Sequence, residues 1–120
     1  MSYIIDLGRV GISETDNDRD LSVQKLADDE TCAVIAISLK NGGVLAKHRA
    51  AEPITVLCFS GKAEFRAGPE LQESAELTQG NLISVAPGIE HSVTALPEAC
   101  IIVTKFKNSK FQPGAPDARS

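Results

Sequence analysis

Aromatic residues are scarce in this chain: no Trp, one Tyr and four Phe in 120 residues. Proteins that stack unpaired bases need exposed rings, so a stacking platform for nucleic acid is excluded. Excess basic charge is missing as well. Twelve Lys and Arg against 16 Asp and Glu leave a net charge of −4, which is no footprint for a phosphate backbone. No apolar run approaches the roughly 20 residues of a membrane-spanning helix. The opening residues, Met1 to Asp6, lack the basic start and apolar stretch of a secretory signal. Cysteine appears three times, at Cys32, Cys58 and Cys100, far apart and inside apolar stretches. That spacing excludes a paired-thiol or zinc-cysteine motif, and the three read as small buried hydrophobes of a reduced cytoplasmic protein. Histidine is scarcer still. His48 and His91 are the only two, so they carry a large share of any catalytic or metal chemistry.

What is present is a β pattern. Hydrophobic residues make up 42% and charged residues 23%, ordinary for one soluble globular domain. Apolar runs rich in β-formers occupy Thr31–Lys40, Ile54–Ser60, Leu82–Ala86 and Ala99–Phe106. Turn signals separate them: Asn41-Gly42-Gly43, Ser60-Gly61-Lys62, Ala67-Gly68-Pro69, Gln79-Gly80-Asn81 and Ala86-Pro87-Gly88. Short strands punctuated this way predict an all-β sandwich or barrel, and no stretch has the periodicity of a long helix. Tyr3–Leu7 reads as an opening strand and Glu14–Asp20 as a solvated acidic loop. Residues 1–107 form the expected single domain. Residues 108–120, with two Pro and little apolar content, read as a tail, locally basic through Lys105, Lys107 and Lys110.

Each histidine is expected near the start of a strand, just after a turn. Gly42 is followed after five residues by His48, then by Ala50, Ile54 and Gly61. Gly80 is followed after five residues by Ala86-Pro87-Gly88, then by His91 and Ala95. In this spacing the sequence resembles the cupin superfamily over about residues 32–106. Gly42, His48, Ala50, Ile54 and Gly61 stand at the first family motif, and Gly80, Ala86, Gly88, His91 and Ala95 at the second. The resemblance implies a small barrel of two antiparallel sheets (a double-stranded β-helix, or jelly roll), often dimeric, with a site in the barrel mouth.

The departures bear on function. The metal positions of the family fall on His48, Ala50, Ile54 and His91, and neither Ala50 nor Ile54 has a lone pair to donate. Glu52 is the nearby carboxylate that would complete a site from the strand start if it bends inward rather than facing solvent, and Glu90 is expected on the opposite face from His91. Replacing an acid with Ile54 turns a charged wall apolar and favours a hydrophobic or aromatic ligand. The expected pocket is lined by His48, Ala50, Ile54, Val56, His91 and Val93. The first functional reading is a binding module for a small, largely apolar ligand. The alternative is a dioxygenase- or isomerase-type enzyme with a divalent metal (Fe, Mn, Ni or Zn) on His48 and His91. A third reading, a metal-free enzyme with a histidine base, needs a polarising partner for the ring. Against all three stands a structural role in which each ring satisfies a backbone carbonyl. Strand parity puts Cys58 inward with Val56, and Leu57 and Phe59 outward. An exposed apolar stripe there predicts a homodimer. Glu64, Glu70, Glu73 and Glu76 read as a solvated hairpin face rather than a glycosidase pair.

Overall fold

The computed structural model of the chain describes residues 20–107. The expected strand at Tyr3–Leu7, all but the last residue of the Glu14–Asp20 segment, and the tail from residue 108 lie outside the described residues. Seven strands follow one another: β1 (Leu21–Asp28), β2 (Cys32–Leu39), β3 (Val44–His48), β4 (Ile54–Ala67), β5 (Glu73–Thr78), β6 (Leu82–Val85) and β7 (His91–Phe106). Among the described residues there is no helix.

The long strands β4 and β7 organise everything else. They run antiparallel along their whole length, from Ile54 opposite Lys105 to Ala67 opposite His91. On the free side of β7, β2 pairs with the second half and β3 with the first. On the free side of β4, β6 pairs with the first half and β5 with the second. Strand β1 extends β2 outward. Two half-sheets, β1-β2-β7-β4-β6 and β3-β7-β4-β5, therefore share their central strands. The change of half-sheet falls where the β4–β7 ladder is irregular, between Cys58 and Ala63.

Gly61 explains that position. Its φ is +78°, and an added Cβ would lie 2.1 Å from the Glu98 carbonyl oxygen. A side chain there meets backbone it cannot displace, and it also disfavours this dihedral. Ser60-Gly61-Lys62 is thus not the turn expected from its glycine. It is a bend inside a 14-residue strand. The remaining turn signals do separate strands.

Alternating residues from both half-sheets build the core. Ile37, Leu39, Val56, Phe65, Val93, Ile101 and Val103 belong to one buried cluster with Ile54 and Cys58. The opposite face of the first half-sheet carries a smaller cluster of Ala36, Cys100 and Ile102, against which Leu57 and Phe59 pack. Leu57 and Phe59 do point away from the cavity, but they are half-buried, not exposed as expected. Their mutual packing on the sheet surface accounts for the difference. Cys32, Cys58 and Cys100 are free thiols. Burial raises the pKa of Cys58 and Cys100, which keeps both protonated.

The β1–β2 hairpin is closed by polar contacts. Asp29 Oδ1 accepts hydrogen bonds from the Thr31 and Cys32 amides at 2.8 and 3.0 Å. Lys107 pairs with Asp28 and donates to the Asp29 carbonyl oxygen at 2.8 Å, tying the end of β7 to the hairpin. Its hydrogen bond, with that from Lys25, lowers the Asp28 carboxyl to about 2. On the other hairpin Lys62 pairs with Glu76 at 3.6 Å and Arg66 with Glu64 at 3.5 Å. Those carboxylates are solvated, as expected of that face.

Candidate functional site

The two histidines meet because of one extra residue. Leu45 pairs with Val93 and His48 with His91, so three steps along β3 match two along β7. Without this bulge, alternation would put Leu45 and His48 on opposite faces. With it, both line the same cavity. His48 is the last residue of β3, not near a strand start as expected, whereas His91 does open β7. As a directly opposed cross-strand pair, their ring centroids lie 4.3 Å apart at an interplanar angle of 62°.

The rings are held alike. His48 Nδ1 lies 2.8 Å from the Ala46 carbonyl oxygen, and His91 Nδ1 lies 2.9 Å from that of Ile89. A carbonyl oxygen only accepts, so each Nδ1 carries the proton and donates. In the neutral ring this leaves each Nε2 with its lone pair available. The structural role foreseen for the rings is therefore real at Nδ1 and uses only one nitrogen of each. Phe65 stacks on His91 from the second half-sheet, centroids 5.8 Å apart. His91 is 2% exposed while His48 is open to solvent. Burial lowers the His91 pKa; its hydrogen bond to Ile89 opposes this, and the neighbouring His48 adds to it.

The histidines form part of the wall of a cavity of about 340 Å³. His48, Ala50, Ile54, Val56, His91 and Val93 all line it. The hydrogen bond from the Gly88 amide to the Ala50 carbonyl oxygen, 2.8 Å, ties the two histidine segments together at its edge. Sequence reasoning missed the wall supplied by β1, β2 and the end of β7: Val23, Ile35, Ile37, Ile101, Val103 and Lys105. The inward parity of Ile101, Val103 and Lys105 was available from the alternation of Ala99–Phe106. Arg49 and Glu52 line the cavity too. Glu90 points elsewhere, as alternation predicts, and faces Lys47 at 3.8 Å.

The donor set does not fit a resident divalent metal ion. Such ions take three or four protein ligands, and the site offers two neutral imidazoles. At the remaining motif positions, Ala50 and Ile54 present hydrocarbon to the cavity. Among the described residues, no three His, Cys, Asp or Glu side chains come together to hold an ion, so Glu52 does not complete the pair. Both Nδ1 partners are neutral carbonyls, which polarise a histidine base far less than a carboxylate does.

No protein-family model matches the sequence, and no curated protein matches it. Solved structures do match the fold. An RmlC-like cupin from Shewanella frigidimarina superimposes with a TM-score of 0.68 at 16% identity, over 76% of this chain and 79% of that one. KdgF from a Halomonas species gives 0.71 at 12% identity, over 92% and 97%. A Klebsiella pneumoniae protein with a double-stranded β-helix domain gives 0.73 at 15% identity, over 92% and 95%. The barrel has the cupin fold, as the two histidine motifs imply. Among the described residues no helix is long and apolar enough to cross a membrane.

Proposed function

We propose that this cupin-fold chain is a binding module for a small, largely apolar molecule held in the barrel cavity. The observation that carries the reading is a pair of imidazoles, anchored through Nδ1 and free at Nε2, in a cavity otherwise walled mainly by aliphatic side chains. Pockets of a few hundred Å³ with apolar walls and few polar groups suit small organic ligands. Two adjacent acceptors match a hydroxyl or amine donor on such a ligand. The metal-dependent enzyme implied by the resemblance has the two free Nε2 atoms in its favour. It lacks a third protein ligand, so no reaction step is assigned to it.

The test is titration of phenol and of toluene into the full chain, followed at the two imidazole C2–H resonances. Saturable shifts at both rings are expected, and Ala50→Phe should abolish them by filling the cavity edge. Absence of any saturable shift with a wider panel of small aromatic and aliphatic probes would overturn the reading. Leu26, Val34, Leu57 and Phe59, which stay partly exposed around the small cluster on the outer sheet face, support a homodimer formed through that face.

A further inference from the structure

Three charged side chains line the cavity, and the binding reading does not use them. They are Arg49, Glu52 and Lys105. Lys105 stands on the inner face of β7, continuing the stripe of Ile101 and Val103. It pairs across the sheet with Ala33 on one side and Ile54 on the other. Such a register position inside a barrel normally holds an aliphatic residue. A lysine can occupy it when its stem lies along apolar wall and its ammonium stays near water. Arg49 directly follows His48 and is exposed.

Among the described residues, none of the three charges is spent on structure. Lys25, Lys47, Lys62, Arg66 and Lys107 form ion pairs with described carboxylates. Among the described residues, Arg49, Glu52 and Lys105 take part in no ion pair or side-chain hydrogen bond. Two cations against one carboxylate leave the cavity with one positive charge, in a chain whose net charge is −4. Burial holds His91 toward its neutral form, so its ring does not add to that charge.

We propose that the ligand is a small monocarboxylate: an apolar body against the aliphatic wall, with its carboxylate neutralised by Arg49 and Lys105. The proposal rests on the cavity-binding reading and names the ligand class for it. Guanidinium and ammonium together suit a carboxylate, the first through paired N–H donors and the second as a point charge. One surplus positive charge favours a monoanion over a dianion. The Nε2 acceptors remain available for a donor elsewhere on the same molecule.

The experiment compares matched acids and primary amides: benzoate with benzamide, and butyrate, hexanoate and octanoate with their amides. Each is titrated into the full chain and read at the imidazole C2–H resonances. Acids are expected to bind about tenfold tighter than their amides at low salt, a gap that narrows as salt screens the pair. Arg49→Gln and Lys105→Gln should each remove about threefold of the gap, and the double variant all of it. Equal affinity of acid and amide, or a gap that survives the double variant, overturns this inference and leaves the binding reading standing. If no acid or amide shifts either ring, the binding reading falls and this inference with it.

Discussion

At the scale of single residues, His91 sets the chemistry. It is buried, stacked on Phe65 and beside His48. Burial depresses its folded pKa below the free value near 6.5. The unfolded chain therefore binds more protons between the two values, and stability rises with pH across that window. The contribution is fully present above about 6.5 and is lost as pH falls through the folded pKa. Chemical denaturation from pH 7.5 to 4.5 should show this slope in the wild type and a shallower one in His91→Gln. Equal slopes would contradict the assignment. Ala50 and Ile54 matter for what they lack. The double substitution Ala50→His, Ile54→Glu should lower stability without metal, because it buries an acid where Ile54 is 3% exposed. It should regain about 2.7 kcal/mol when Zn(II) is present at a hundredfold excess over its Kd. No zinc-dependent stabilisation of the variant would mean that these positions do not share a site.

At the scale of elements, two local irregularities place the site. The bulge in β3 turns His48 toward the cavity, and the bend at Gly61 lets β4 serve both half-sheets. Gly61→Ala is expected to cost about 3 kcal/mol, from steric clash with the Glu98 carbonyl and an unfavourable positive φ. Thermal denaturation measures this, and an unchanged midpoint would contradict the bend. The same two features show why legibility was uneven. Strands with an inner apolar face, such as Cys32–Leu39 and Ile54 onward, are written in alternating β-formers. Strand β1, with its mixed and largely exposed or half-buried residues, has no such pattern and was not anticipated. Glycine marks a turn and a bend in the same way, so Ser60-Gly61-Lys62 was misread. A bulge leaves no mark in composition at all. His48 was nevertheless expected in the cavity, because the motif spacing already contains the extra residue. Arg49 and Lys105 were not, because a lone cation is ordinarily read as solvent-facing.

At the scale of the whole molecule, the barrel has two faces with different uses. The inside holds the cavity, and the outside of the first half-sheet holds the cluster around Ala36, Cys100 and Ile102. A homodimer through that outer face predicts that Leu57→Glu halves the mass measured by light scattering, with the fold retained by circular dichroism. A dimeric mass retained by the variant, or a monomeric wild type, would contradict it. The fold leaves ligand and chemistry open, because binding lives in the site rather than in the barrel. Here Ala50 and Ile54 present hydrocarbon to the cavity beside the two imidazoles. The most direct test is the metal content of untagged protein after incubation with Fe(II), Mn(II), Ni(II) and Zn(II) and desalting. A cavity built for an organic ligand predicts substoichiometric metal, unchanged in His48→Ala and His91→Ala. Stoichiometric metal in the wild type, lost in both variants, would contradict it.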